Sequence, residues 1–92
     1  MKLQFSGHAL QRMFARGISP GDVRQVIDEG EIIAEYPNDR PFPSALKLGF
    51  VNGRAIHTVV GYDVASDTGH VITAYLPEPN LWHDDMKTRK RV

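Results

Sequence analysis

Hydrophobic and polar positions follow two different patterns along this chain. Between Ser6 and Gly30 apolar residues recur every three or four positions, as they do on one face of a helix. From Glu31 onward short β-type runs are separated by residues typical of turns. The pattern therefore predicts an α+β fold, with two N-terminal helices packed on an antiparallel meander sheet of three to four strands.

Capping residues delimit the two predicted helices. Ser6 is a suitable N-cap for the first helix, which we expect to end at Gly17, a residue suited to the left-handed conformation after a helix. The run Ser19–Asp22 supplies an N-cap, a proline in the first turn and a capping box for the second helix, and Gly30 ends it.

The strands are separated by equally local signals. Asn52-Gly53 is the favoured pair of a two-residue type I′ hairpin turn, and three prolines stiffen the loop Pro37–Pro43. Met1–Phe5 is either a short edge strand or an arm. A final short helical turn near Trp82 is expected to pack on the sheet. The other strands are predicted over Glu31–Tyr36, Ser44–Val51, Arg54–Asp63 and His70–Leu76.

The predicted hairpin places a histidine on a defined side of the sheet. A two-residue turn pairs Leu48 with His57, and directly opposed residues share a face. His57 is therefore expected beside Leu46, Leu48 and Phe50, on the face that we expect to meet the helices. One alternative is a core histidine that makes a single hydrogen bond.

The first helix carries a basic column that suits phosphate chemistry. In a helix His8, Arg12 and Arg16 lie at i, i+4 and i+8 on one face. An imidazole transfers protons near neutral pH, and planar guanidiniums bind anionic oxygens in pairs. If His57 lies under this helix, a partly desolvated imidazole beside arginines is suited to act as a general base.

Two further residues are candidates for binding phosphate. Tyr75 lies near the end of the last strand, on the same predicted side as Val71, where a phenol contacts a phosphate or stacks on a base. Its simpler interpretation is packing with an exposed hydroxyl. Arg40, in the proline-stiffened loop, is either a phosphate ligand or an ion-pair partner of Asp39 or Glu35.

Composition narrows the class of protein. The 92 residues make one domain, 1–92, with 83–92 as a basic tail expected to be disordered. The chain has no cysteine, and its histidines lack the i, i+4 spacing of a helical zinc site, so we expect no metal and no cofactor. Without a membrane-length apolar run or a signal-peptide pattern, the expected location is cytoplasmic.

Charge is balanced overall but unevenly distributed. Eleven basic residues offset eleven acidic ones, so the net charge does not steer the protein toward nucleic acid. Acidic residues crowd the middle of the chain, whereas a basic cluster near its end adds local affinity for phosphate. These groups are Asp28, Glu29, Glu31 and Glu35, and Lys87, Arg89, Lys90 and Arg91.

Five ordered motifs carry a family resemblance. They are His-Ala-x-x-Arg-Met-x-x-Arg-Gly-Ile-Ser (8–19), Gly-Glu-Ile-Ile-x-x-Tyr-Pro-x-Asp-Arg-Pro (30–41), Leu-Gly-Phe-Val-Asn-Gly-Arg-x-Ile-His (48–57), Ile-Thr-x-Tyr (72–75) and Pro-x-Pro-x-x-Trp (77–82). Over nearly its whole length the chain thus resembles a small prokaryotic family catalogued as domain-of-unknown-function family 4258.

That resemblance implies a remote kinship with the RelE/ParE and BrnT toxins of bacterial toxin–antitoxin modules. Their fold is two helices followed by an antiparallel sheet. Several of these toxins are ribonucleases that cleave mRNA without a metal, the ParE branch acts on gyrase, and each toxin is neutralised by an antitoxin. The resemblance therefore implies a toxin-like, metal-independent endoribonuclease that binds RNA and has a cognate antitoxin as its partner.

Such an enzyme needs a base to deprotonate the ribose 2′-hydroxyl, which attacks the adjacent phosphate, and cations to stabilise the charge that gathers there. The predicted catalytic residues are His8, His57 and Arg12, and the predicted phosphate-binding residues are Arg16, Arg40 and Tyr75.

The sequence is also compatible with two other hypotheses about function. In the first, the protein is a non-catalytic protein-binding module that uses the His8/Arg12 face. In the second, His8 and Arg12 only cap the first helix and brace it against the loop Pro37–Pro43, and the arginines form ion pairs with Glu31, Glu35 or Asp39.

Overall fold

The structure, a computed structural model, describes residues 1–91. It is an α+β fold in which two helices pack on a five-stranded mixed sheet. The elements in chain order are β1 (Lys2–Phe5), α1 (Gly7–Ala15), α2 (Pro20–Glu29), β2 (Glu31–Tyr36), β3 (Ser44–Val51), β4 (Arg54–Asp63) and β5 (Thr68–Tyr75).

The sheet order is β1-β5-β4-β3-β2. Strands β2 to β5 form the predicted antiparallel meander, but β1 adds a fifth strand parallel to β5. The predicted count of three to four strands is therefore wrong. The helices are also not the first elements of the chain, because β1 precedes both of them. In a segment of four residues, the alternation of polar and apolar positions is too short to distinguish a strand from an extended arm. Lys2–Phe5 is a strand because it pairs with Thr68–Val71.

The local signals for the helices are confirmed. Ser6 Oγ accepts the amide hydrogen of Ala9 at 3.0 Å, and Gly17 follows α1 with φ of 66°. At α2 the Ser19 hydroxyl and the Asp22 carboxylate each accept the other residue's backbone N–H at 3.0 Å, which completes the capping box.

The hairpin register is confirmed as well. Asn52 and Gly53 have φ of 53° and 79°, as a type I′ turn requires, and His57 pairs with Leu48. His57 therefore lies on the face of β4 and β3 that was predicted from the turn.

The helices cover the opposite face, so the prediction that His57 faces them is wrong. Met13 of α1 and Val26 of α2 share one core with Ile56 and Val60, and Ile56 precedes His57 on β4. The reason is close approach at Gly49, where a Cβ atom would lie 2.9 Å from Cγ2 of Val26. Helix α2 can approach the backbone of β3 closely only on the face where Gly49 has no side chain.

The predicted alternation along β5 is also wrong, because an irregularity interrupts it. The register with β4 shifts between Val59 and Val60. As a result Val71 and Ala74 both join the helix-side core. Tyr75 pairs with His57 and lies on the other face rather than beside Val71.

Residues 77–91, called the tail segment here, lie over the His57 face. They form successive turns and a bridge between Trp82 and Arg89. One of these is a single helical turn just before the bridge, in which the Trp82 N–H donates to the Glu78 carbonyl at 3.2 Å. Trp82 packs toward the sheet, as predicted, because its ring contacts His57, and the backbone carbonyl of Met86 lies against the same imidazole. The basic tail predicted over 83–92 is described as far as Arg91, and Val92 lies outside the described residues.

Candidate functional site

His57 lies at the centre of the face opposite the helices and is 0 % exposed. Its Nδ1 lies 3.2 Å from the hydroxyl oxygen of Tyr75, and its Nε2 lies 2.6 Å from the carbonyl oxygen of Met86. Trp82 and Tyr75 both contact the imidazole edge-on, with ring centroids 4.5 Å and 5.3 Å away. The tail segment therefore converts a mid-strand histidine into a buried, fully hydrogen-bonded group.

These contacts determine the tautomer of the ring. A carbonyl oxygen only accepts, so Nε2 carries a hydrogen and donates it to Met86. In the neutral ring Nδ1 is then bare and accepts the hydroxyl hydrogen of Tyr75. Burial lowers the pKa of His57 below its ordinary value of 6.5, and the bond to the Met86 carbonyl offsets part of that effect. The ring is thus neutral near pH 7 and accepts a hydrogen bond from the Tyr75 hydroxyl.

Next to this pair is a cleft of about 390 Å³ at the junction of β5 and the tail segment. Its lining combines two guanidiniums, one carboxylate, one phenol and three apolar side chains. These residues are Arg16, Tyr75, Leu76, Glu78, Leu81, Trp82 and Arg89.

Arg16 reaches the cleft from the helix side because the sheet is incomplete there. The last residue pair between β1 and β5 is Phe5 with Val71, so β5 extends beyond its neighbour. Arg16 Nη1 donates to the carbonyl oxygen of Ala74 at 2.9 Å, which holds the guanidinium beside Tyr75.

Arg89 enters the cleft from the tail segment. Its Cζ lies 5.6 Å from the centre of the Trp82 ring, in cation–π range. Within residues 1–91 neither Arg16 nor Arg89 has a carboxylate oxygen inside 4.0 Å. Both charges are therefore available to an external anion.

The same groups set the acidity of the phenol. Burial raises the pKa of Tyr75 above its ordinary value of 10.0, and the nearby Tyr36 raises it further. The positive charge of Arg89 acts in the opposite direction and lowers it. A bound phosphate that neutralised Arg89 would therefore change the proton affinity of Tyr75.

The structure brings together three of the six predicted site residues. His57, Tyr75 and Arg16 converge at the cleft. His8 and Arg12 lie exposed on α1, whose core residues pack on the other side of the sheet. Arg40 lies exposed in the loop before β3. The predicted constellation of His8, Arg12 and His57 is thus not assembled, because the sheet separates the histidines.

Ion pairs that join Arg12, Arg16 or Arg40 to Glu31, Glu35 or Asp39 are not seen in the described part of the chain. Glu31 pairs with Lys87 at 3.4 Å, and Asp39 accepts the hydroxyl hydrogen of Ser44 at 2.7 Å. Across residues 1–91, Arg12 and Arg40 form no ion pair within 4.0 Å.

Sequence reasoning missed Arg89, Trp82 and the carbonyl of Met86 as parts of the site. The available signal was the Pro-x-Pro-x-x-Trp motif followed by the basic run 87–91. Prolines stop β5 and redirect the chain, and a tryptophan just beyond such a turn favours packing back onto the sheet.

Residues 1–91 contain neither a metal-binding cluster nor a helix of membrane-spanning type. No group of three or more His, Asp or Glu side chains among residues 1–91 is arranged to hold a metal ion. Neither helix in that range is long and apolar enough to cross a membrane.

Fold and site together define a small α+β domain with a buried histidine–tyrosine pair beside an arginine-lined cleft. Residues 5–76, well over half of the chain, match the family described as Domain of unknown function (DUF4258), and the chain belongs to that family. The match ends where the tail segment begins. No curated protein and no solved structure shows significant similarity to the chain.

Proposed function

We propose that this protein is a toxin-like RNA-binding protein that cleaves RNA without a metal, at the cleft between β5 and the tail segment. The observation that carries the proposal is the hydrogen bond from the Tyr75 hydroxyl to Nδ1 of His57, beside two arginines that form no ion pair within 4.0 Å among residues 1–91. A proton acceptor and two anion-binding forks at one place are what phosphodiester transfer requires.

In the proposed reaction the ribose 2′-hydroxyl gives its proton to the Tyr75 oxygen while the Tyr75 proton moves to Nδ1 of His57. The 2′-oxygen bonds to phosphorus, and the bond from phosphorus to the 5′-oxygen breaks. The products are a 2′,3′-cyclic phosphate and a 5′-hydroxyl, whose proton comes from water. Arg16 and Arg89 stabilise the charge on the phosphorane, and His57 returns its proton through Tyr75 to the hydroxide that this water leaves.

Local charge supports RNA binding despite a net charge of zero. Arg89 lines the cleft together with Arg16, and Lys90 and Arg91 follow Arg89 directly along the tail segment. Phosphate contacts depend on such local clusters, and their affinity falls steeply with salt.

The direct test incubates the purified protein with a labelled single-stranded RNA in the presence of EDTA. We expect cyclic-phosphate and 5′-hydroxyl ends, and no cleavage of DNA of the same sequence because it lacks the 2′-hydroxyl. Tyr75→Phe should slow cleavage by about 10²-fold or more, and Arg89→Gln by about 10²-fold.

His8→Ala, Arg12→Ala and Arg40→Ala are the matched contrasts. The proposal expects near-parental rates from all three, because their side chains lie outside the cleft. The proposal would be overturned if His8→Ala lost most of its RNA cleavage while Tyr75→Phe kept full activity, because the catalytic residues would then lie on the first helix. Intact RNA in every reaction would overturn it as well.

The toxin role has its own test in cells. Expression of the parent should inhibit growth, Tyr75→Phe should relieve the inhibition, and a neutralising protein partner should relieve it as well. Equal inhibition by the parent and Tyr75→Phe would contradict a toxin that acts through RNA cleavage.

One observation favours a second function, a protein-binding module that uses α1. Phe14 is 80 % exposed on that helix, and Arg12 forms no ion pair in the described range. A binding module predicts intact RNA together with loss of a partner complex in Arg12→Ala, so the experiments above separate the two functions.

A further inference from the structure

The outer side of β2 is an open sheet edge. Strand order places β2 last, with β3 on one side only. Along Glu31–Tyr36 the outward N–H and C=O groups therefore have no strand partner within residues 1–91. Such an edge is a template on which an extended chain forms main-chain hydrogen bonds.

An apolar groove runs beside this edge on the helix-bearing face. Its volume is about 470 Å³, and Ile27, Ile32, Ala45 and Val60 contribute to its lining. The groove exists because α2 packs chiefly on β3 and β4 and leaves Ile32 of β2 51 % exposed. Side chains projecting from a strand added at the edge would lie next to this apolar surface.

The charge around the edge is strongly acidic. Between Arg24 and Arg40 the chain has five carboxylates and no basic residue. Arg24 and Lys87 offset two of these, Asp28 and Glu31. Glu35 lines the groove and forms no ion pair within 4.0 Å in the described residues. Lys47, also in the lining, donates its ammonium hydrogen to the carbonyl of Ile27.

We propose that the outer edge of β2 binds an extended segment of another protein, whose side chains on the groove face are apolar residues together with one lysine or arginine. The segment adds a sixth strand, places apolar side chains in the groove and sets a cationic side chain against Glu35. A second copy of this chain fits poorly, because pairing two β2 strands brings two sets of carboxylates together. The irregular register between Ile32 and Ala34 is likewise typical of edges that resist self-pairing.

The test uses short synthetic peptides and the full chain. A peptide with valines and one lysine at alternate, groove-facing positions and serines between them should bind and slow hydrogen exchange at the β2 amides, measured by NMR. The same peptide with glutamate in place of that lysine should bind about tenfold more weakly, because its charge opposes Glu35. A serine–lysine peptide has charge but no apolar side chains and should not protect these amides.

Glu35→Lys is the decisive variant, since the residue is exposed and the change does not disturb the core. It should reverse the preference between the two valine peptides, whereas Val64→Glu, an equally exposed change in the turn before β5, should leave it unchanged. No protection of β2 by the valine–lysine peptide, or an unaltered preference in Glu35→Lys, would overturn the proposal. A peptide-free dimer that protects β2 would overturn it in favour of self-association.

Discussion

His57 and Thr58 are neighbours on β4, both 0 % exposed, yet they lie on opposite faces of the sheet. Thr58 points toward the helix-side core, and its Oγ1 has no hydrogen-bond partner within the described residues. His57 points toward the tail segment, and both of its ring nitrogens are bonded. Helices cover the Thr58 face, and their backbone carbonyls are already bonded within the helix. The irregular tail segment covers the His57 face and has an unbonded carbonyl, that of Met86, which accepts the hydrogen bond from His57.

The two faces of the sheet therefore differ in role: one carries the hydrophobic core and the other carries the candidate site. The helix side gathers apolar residues into a core, whereas the tail side holds an ordered polar network next to an open cleft. Met86, whose φ of 59° is unusual for a residue with a side chain, supplies the carbonyl that holds the ring. A constrained residue at the network fits a site built around His57.

Removal of the imidazole should have the largest effect on stability. His57→Ala leaves the Met86 carbonyl unbonded and creates a cavity under Trp82, so the free energy of unfolding should fall by about 3 kcal/mol. Denaturant unfolding measures this value. A loss no larger than that of an exposed-site change such as His83→Ala would show that the tail segment does not pack on His57.

Stability should also depend on pH through the same ring. The folded-state pKa of His57 lies below 6.5 because of burial, so below about pH 6.5 the unfolded chain binds a proton that the folded chain refuses. Stability should therefore fall as pH drops from 7, by at most about 1.4 kcal/mol per pH unit for this single group. His57→Gln should flatten that slope, and His83→Gln, an exposed control, should retain it.

A smaller effect of opposite sign is expected on the helix side. Thr58→Val removes an unbonded buried hydroxyl without changing the shape of the side chain, and should raise the free energy of unfolding by about 1 kcal/mol. Thr68→Val is the matched control, because the Thr68 hydroxyl donates to the Ser66 carbonyl at 3.1 Å. The control should destabilise the fold, and stabilisation by both changes would remove the distinction.

Sequence reasoning succeeded where structure depends on near neighbours. Caps at Ser6 and Ser19 and the Asn52-Gly53 turn act over three or four residues, so helix ends and the His57 register were predictable. The face of the sheet that meets the helices depends on contacts distant in sequence. Leu46 and Leu48 make their face the more apolar one, yet α2 packs on the other, where Gly49 admits its backbone.

The candidate site was only partly predictable for the same reason. Arg16 and Tyr75 were named from residue type, but the shift in register on β5 and the early end of β1 bring them together. Arg89 reaches the cleft through a tail segment without helix or strand, for which no periodicity exists to be read.

Nitrogen-15 NMR of the His57 ring tests the central claim most directly. At about pH 7 the account predicts a bare Nδ1 that accepts a hydrogen bond and a protonated Nε2, with the Nδ1 resonance shifting in Tyr75→Phe. A ring protonated at Nδ1, or one whose resonances ignore the loss of the Tyr75 hydroxyl, would contradict it.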